Sequence, residues 1–277
     1  MDDKKQQIPR IIHYCWFGHN EKPEIVLRCM ESWKKYCPNY EFREWNEENF
    51  DVSVCKYAAD AYANKKWAFV SDYVRIKVLL TYGGIYIDTD VELLKPIDDL
   101  LNREAFMGFE LGLDGSYGVN TGSMMGSVPG SRYLRLQEAA YRNYSFYDGN
   151  GGLNLRTCVE YTTQILSENG LETNNEYQTV LDTAIFPSDY FSPMNMTTGK
   201  LSITENTYSI HRYAGSWAPE SVRYGYRLKW ECIEKYGAGI GKLIYLIRYS
   251  LYILSHEGFT YYVEKLIGKL KRNRRRK

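Results

Sequence analysis

Ser71-Asp72-Tyr73-Val74-Arg75 and, one helix length on, Tyr82-Gly83-Gly84-Ile85-Tyr86-Ile87-Asp88-Thr89-Asp90 decide how this 277-residue chain folds. Apolar residues at positions 69, 70, 73, 76, 79 and 80 recur with the helical period, which predicts a helix from Trp67 to Tyr82. The paired glycines stop it. Ile85 to Ile87 then reads as a short, wholly apolar strand of the kind found in the centre of a covered sheet. The strand runs into two carboxylates two residues apart. A strand alternates its side chains with period two, so Asp88 and Asp90 are expected on one side. With no basic residue between them they repel unless a divalent cation intervenes. Hard oxygen ligands suit Mg²⁺ or Mn²⁺, and such ions commonly bridge to substrate phosphates. Asp72 and Arg75 are three apart and therefore neighbours on one helix face.

Outward from this stretch, Ile8 to Phe17 reads as a strand, Pro23 to Tyr36 as a helix that begins at proline, and Tyr40 to Trp45 as a second strand. A helix is expected near 54–64, strands at 105–109 and 123–126, helices near 131–144 and 156–168, and a strand at 208–212. Alternation of strand and helix predicts an α/β sheet. From position 219 the pattern turns to long helices, so the expected division is a domain over 1–218 and a helical extension over 219–277.

The bulk numbers bound the function loosely. Apolar residues at 44% and charged at 25% suit a soluble globular domain, and a net charge of +1 gives no pull toward nucleic acid, so no nucleic-acid partner is expected. Tyrosine is abundant, with 26 copies, a residue that carbohydrate sites use and that cores also take up. None of the six cysteines forms a C-x-x-C pair, which points away from structural zinc and toward free thiols in a reducing cytoplasm. The first residues lack the apolar run of a secretory signal. Gly239 to Ser255 is apolar but interrupted by Lys242 and Arg248, too short and too charged to span a bilayer. Lys265 to Lys277 carries eight basic side chains and no acidic one. An amphipathic helix with such an end suits the surface of an anionic membrane.

Three blocks in order, Ile8-Pro9-Arg10-Ile11-Ile12-His13-Tyr14-Cys15-Trp16-Phe17-Gly18, Ser71-Asp72-x-x-Arg75 and Gly83 to Asp90, resemble glycosyltransferase family 32, a DXD-containing group of sugar transferases. The resemblance is strong over 8–101, weaker over 102–217 and absent beyond. It implies a GT-A fold, a Rossmann-like sheet that binds a nucleotide-sugar at the carboxyl ends of its strands. By that match Trp16 stacks on the donor base, Asp72 and Arg75 hold ribose or sugar and the diphosphate, Asp88 contacts the sugar and the metal's water, and Asp90 ligates Mn²⁺ or Mg²⁺ directly. Ser209 to Trp217 resembles the family's terminal His-Ser-Trp block, which makes His211 the candidate third metal ligand, with Ser216 the alternative, and implies that Ser216 and Trp217 close over the diphosphate. Gly118-Val119-Asn120-Thr121-Gly122 matches the region beside the transferred sugar, with Asn120 as a hydrogen-bonding candidate. His13 receives no role beyond packing.

The resemblance implies a hexosyltransferase using a UDP-hexose, with retention at the anomeric carbon. The expected acceptor is a growing surface glycan or lipid-linked oligosaccharide, and the expected location is the inner face of the cell membrane. Two other readings stand beside it. Strand-Asp88-x-Asp90 also fits the opening motif of haloacid-dehalogenase-type phosphatases, which need a downstream acidic pair after Gly-Asp that is missing here. A non-catalytic glycan-binding scaffold is the second, against which the intact Asp72, Arg75, Asp88 and Asp90 argue.

Overall fold

A computed structural model describes residues 7–215, 220–260 and 263. The chain divides into two compact units, one of residues 1–196 with 201–217 and one of 197–200 with 218–277.

The first unit is built on an eight-stranded mixed sheet. Its first three strands are parallel: β1 (Ile11–Cys15), β2 (Glu41–Trp45) and β3 (Gly84–Tyr86), with β1 in the middle. From β1 the chain crosses by α1 (Glu24–Tyr36) to β2 on one side, then by α2 (Lys56–Ala63) and α3 (Trp67–Tyr82) to β3 on the other. The two crossovers leave β1 in opposite directions, so the carboxyl ends of β1 and β3 border the crevice where open α/β sheets bind ligands. Beyond β3 the sheet continues with β7 (Met125–Ser127), β5 (Ala105–Leu111), β9 (Thr183–Phe186) and β8 (Gln178–Val180), and β6 (Tyr117–Asn120) pairs with β5. Helices α4 (Arg132–Tyr141), α5 (Cys158–Ser167) and α6 (Ser188–Phe191) complete the unit.

Core residues line both faces of the sheet. Ile85 and Ile87 join one cluster with Trp33 and Tyr14, while Tyr86 between them joins the other with Val70, Val74 and Met107. This is the alternation expected of a strand covered on both faces. Burial accounts for α3 as well. Besides its apolar stripe, Asp72 and Arg75 are also buried, so the helix lies within the fold rather than on its surface. Gly83, at φ +64°, and Gly84, at φ +99°, turn its end into β3. A β-carbon on Gly84 would stand 2.7 Å from the Ile11 carbonyl oxygen, so the turn needs glycine there.

A second, two-stranded sheet matters most for the site. β4 (Val91–Leu93) pairs antiparallel with β10 (Ser209–His211), His211 opposite Val91. Helix α1 fixes β4, since the buried Trp33 donates Nε1–H to the Val91 carbonyl at 2.7 Å and the Ser32 hydroxyl accepts from the Leu93 amide at 2.9 Å.

The second unit contains α7 (Glu220–Tyr236) and α8 (Ala238–His256), joined at Gly237 with φ +76°. Gly241, Ile253 and the half-buried Tyr245, Tyr249 and Tyr252 occupy one side of α8. Ile240, Leu243, Ile247, Leu251 and Leu254 are exposed on the opposite side. No helix among the described residues is long and apolar enough to cross a membrane. The α/β architecture followed by helices is the one expected. Four short strands, β4, β6, β8 and β9, were not anticipated, and β1 is shorter than the predicted 8–17 run.

Candidate metal and donor site

Asp88 and Asp90 do converge, but by a different device from the one the sequence suggests. Strand β3 ends at Tyr86, and residues 87–90 leave it in a turn closed by the Val91 amide on the Asp88 carbonyl at 3.0 Å. Strand alternation therefore does not place the two carboxylates; the turn and the β4–β10 pairing do. His211, 121 positions along the chain from Asp90, stands opposite Val91 in that pairing. Asp88, Asp90 and His211 each offer one ligand atom, and the three atoms lie within 4.8 Å of one another. The backbone beyond His211 closes on the same turn: the Arg212 amide donates to the Asp90 carbonyl at 2.9 Å and the Ala214 amide to Asp90 Oδ2 at 2.8 Å.

Asp88 is not free of basic neighbours as its local sequence implies. Arg75 Nη2 lies 3.0 Å from its Oδ1 and 3.1 Å from Asp72 Oδ1, and the Tyr86 hydroxyl donates to the same Asp88 oxygen at 2.9 Å. The remaining Arg75 donors reach the Ser71 carbonyl, the Thr121 hydroxyl and Cys158 Sγ, while the guanidinium stacks 4.7 Å from the Tyr86 ring. At 2% exposure Arg75 has its nitrogens turned to protein groups, not outward to a diphosphate. It organises Asp88 instead. Asp72 is buried beside it, and burial, opposed by Arg75, pushes its carboxyl up to about 6. Its ion-pair partner in the structure is Arg75.

The other Asp88 oxygen, Oδ2, faces Gly122. A β-carbon built there would stand 2.0 Å from Oδ2 and 3.0 Å from Arg75 Nη1, so only glycine lets the 120–123 loop lie against the carboxylate. The Asp88 amide donates to the Gly122 carbonyl at 2.9 Å. Asn120 braces this loop. Its Oδ1 accepts from the Gly122 amide at 2.6 Å and its Nδ2 donates to Glu110 Oε2 at 2.6 Å. Both ends of the side chain are engaged within the protein, which makes Asn120 a support of the loop rather than a contact to a sugar hydroxyl.

His211 sits between carboxylates, Nε2 at 3.4 Å from Asp90 Oδ1 and Nδ1 at 3.6 Å from Glu110 Oε2. Burial disfavours its charged form, yet the two carboxylates outweigh burial and push the imidazole up to about 10. Burial likewise tends to raise Asp90, but His211 and the Ala214 amide hold it below the usual range. A buried anion, a nearby carboxylate and an imidazole held this close are what an oxygen-preferring dication with one nitrogen ligand would meet, and the donor set fits Mn²⁺ or Mg²⁺.

Trp16 follows β1 on the other side of the crevice and is half-buried. Its Nε1–H donates to the Asn20 carbonyl at 2.7 Å, and Lys22 Nζ lies 5.5 Å from the ring centre. Ser216 and Trp217 lie outside the described residues, as does the basic stretch 265–277. His13 is packed as expected: Trp45 Nε1–H donates to Nδ1 at 3.0 Å and Nε2 meets the Gly83 carbonyl at 2.9 Å, so the neutral Nε2–H form satisfies both. Glu110 and Tyr213 have no role in the sequence reading, and Gly122 enters it only within the 118–122 segment. Glu110 left one signal, a lone carboxylate within the apolar strand Ala105-Phe106-Met107-Gly108-Phe109-Glu110-Leu111.

Residues 23–107 match the family model described as the glycosyltransferase sugar-binding region containing DXD motif. That span includes Asp72, Arg75, Asp88 and Asp90. The chain is 32% identical over 108 residues to inositol phosphoceramide mannosyltransferase 3 of Schizosaccharomyces pombe, covering 36% of this chain and 29% of that protein. It is 28% identical over 152 residues to mannosyl phosphorylinositol ceramide synthase SUR1 of Saccharomyces cerevisiae, covering 52% and 37%. The chain thus spans well under half the length of these relatives. Among solved structures, the PaToxG glycosyltransferase overlaps 59% of this chain and 70% of that chain at 18% identity, with a TM-score of 0.42.

Proposed function

We propose that this chain, whose residues 23–107 form a DXD-containing glycosyltransferase sugar-binding region, is a metal-dependent hexosyltransferase acting from a nucleotide-sugar. The observation that carries the reading is the meeting of Asp88, Asp90 and His211 at the crevice between β1 and β3. Asp90 and His211 would hold the cation, with Asp88 beside it. When bound, a dication there neutralises charge developing on the departing diphosphate.

The chain's own residues set that site up. Arg75 orients Asp88 through an ion pair at 3.0 Å. Gly122 and the Asp88 amide fix the depth of the carboxylate, and the Ala214 amide fixes Asp90. Trp16, at the end of β1, is where the base of the donor would stack, a contact worth about 1–3 kcal/mol. UDP is the favoured base, and retention by front-face attack the favoured course, since no Asp or Glu is placed as a nucleophile by the observed contacts.

The proposed acceptor is a surface glycan or lipid-linked oligosaccharide. Two observations support a lipid link: the named relatives act on inositol phosphoceramides, and α8 presents an exposed apolar stripe at 240, 243, 247, 251 and 254. That stripe precedes the basic run Lys265 to Lys277, and a helix with this combination lies in an anionic membrane surface. We place the protein on the inner face of the cell membrane on that basis.

Asp90→Asn tests the catalytic reading because it removes a ligand charge and almost no volume. Mn²⁺-dependent release of UDP from UDP-hexose should fall on the order of 10²–10³-fold, the scale of losing one electrostatic stabiliser of a transition state. Turnover equal to the wild type would remove the metal assignment.

A further inference from the structure

We propose that Glu110 is the positioning residue of the metal site, holding His211 in the tautomer that offers Nε2 to the cation; the inference rests on the metal reading above. Glu110 is 7% exposed, at the inner end of β5. Its Oε2 accepts from Asn120 Nδ2 at 2.6 Å and from the Tyr213 hydroxyl at 3.0 Å, and it faces His211 Nδ1 at 3.6 Å. The opposite edge of the same imidazole, Nε2, faces Asp90. A neutral imidazole carries one proton, and metal ligation through Nε2 requires that proton on Nδ1. The Glu110 oxygen that faces Nδ1 is the one that accepts from Asn120 and Tyr213, so it meets the ring as an acceptor and selects Nδ1–H. Nδ1 is buried and has no partner within hydrogen-bonding distance among the described residues, and the Glu110 carboxylate at 3.6 Å is the group it faces.

Two donors keep Glu110 in place for this task. Tyr213 takes the left-handed conformation, φ 48°, and its ring lies 4.3 Å from that of His211, which brings its hydroxyl onto the carboxylate. Asn120 links the same carboxylate to the other wall of the site, because its Oδ1 holds the Gly122 amide and the Gly122 carbonyl holds the Asp88 amide. One buried carboxylate therefore faces His211 directly, while Asn120, which binds it, separately braces the Asp88 loop. The imidazole separates Glu110 from the cation's position, so Glu110 acts through His211 and is not itself a ligand. Carboxylate–imidazole–metal chains of this type orient the ring and raise its basicity.

The test is Mn²⁺ uptake by the full chain, followed by the electron-paramagnetic resonance signal of free Mn²⁺, with circular dichroism to verify folding. Glu110→Gln keeps the shape but can present an N–H to Nδ1, which favours the wrong tautomer. It should weaken Mn²⁺ binding on the order of 10–100-fold. His211→Ala should weaken it too, and the double variant should bind no more weakly than His211→Ala alone, because Glu110 works only through that ring. Should Glu110→Gln fail to fold, Glu110→Asp keeps the charge but retracts it, and should bind Mn²⁺ more weakly than the wild type. Wild-type affinity in either folded variant, or losses that add in full, would overturn the proposal. A wild-type chain that takes up no Mn²⁺ would remove the metal reading and this one together. Uptake abolished by Asp90→Asn but unchanged by Glu110→Gln would remove this one alone.

Discussion

Gly122 and His13 are the residues at which the smallest chemical changes should have the clearest consequences. At Gly122 the issue is space. A methyl group there has to displace Asp88 Oδ2 or Arg75, since it would begin 2.0 Å from one and 3.0 Å from the other. Gly122→Ala should shift Asp88, and circular dichroism would verify that the variant folds. Displacing a catalytic group by about 1 Å costs on the order of 100-fold in rate, and kcat/KM for UDP-hexose turnover should fall by that much. Unchanged kinetics would mean that the Asp88 position is not critical.

At His13 the issue is a proton. Burial lowers its imidazole to about 4 from an unfolded value of 6.5, and Trp45 already donates to Nδ1. As pH falls the unfolded chain takes up the proton first. The contribution of His13 to stability is thus complete above pH 6.5 and is lost between 6.5 and about 4. From pH 7 to 5 the wild type should lose roughly 2 kcal/mol relative to His13→Gln in urea unfolding. Asp72, whose folded pKa is raised, works in the opposite sense but is common to both proteins. Parallel pH profiles for the two would contradict the buried neutral imidazole.

Among elements, α3 and α8 make opposite uses of apolar sequence. The stripe of α3 is covered, and Asp72 and Arg75 are buried along with it because each neutralises the other beside Asp88. In α8 one side carries the buried Gly241 and Ile253, while five large aliphatic residues on the other side stay exposed. Single exposed apolar residues are ordinary; a row of them along one helix marks an interaction surface. Ile247→Glu with Leu251→Glu should leave folding intact and should reduce flotation of the full chain with phosphatidylglycerol-containing liposomes by about tenfold or more, since each change removes buried apolar area and adds a like charge. Equal flotation of variant and wild type would assign membrane contact elsewhere or nowhere.

On the scale of the whole molecule, what the sequence disclosed and what it hid divide by distance along the chain. Helix α3, the Gly83-Gly84 stop and strand β3 are local patterns, and the Asp72–Arg75 proximity follows from helical spacing. The Asp88-x-Asp90 pair is legible as a dication site and the resemblance to known transferases adds His211, yet the reason the three meet was not legible. It lies in the pairing of β10, a strand the sequence shows, with β4, three residues too short for any periodic signal, across more than a hundred residues. Strand alternation gave a correct neighbourhood for the two aspartates by an incorrect route, since a turn forms where the strand was expected to continue. The resemblance implied donor contacts for Asn120 and Arg75, and that both side chains are engaged with protein groups could not be read from spacing, which carries no information on burial. Glu110 was hidden by its own strand, where a carboxylate among apolar residues is a signal only once the neighbouring imidazole is known.

The central claim is that Asp88, Asp90 and His211 bind a dication that in turn holds a nucleoside diphosphate at the crevice between β1 and β3. Isothermal titration of the full chain with UDP, and separately GDP, with and without Mn²⁺, tests it most directly. The account predicts binding of UDP that depends on Mn²⁺, disappears in Asp90→Asn and weakens by about 10-fold or more in Trp16→Ala as base stacking is lost. Nucleotide binding that is indifferent to Mn²⁺, or no binding of either nucleotide by the folded chain, would contradict it.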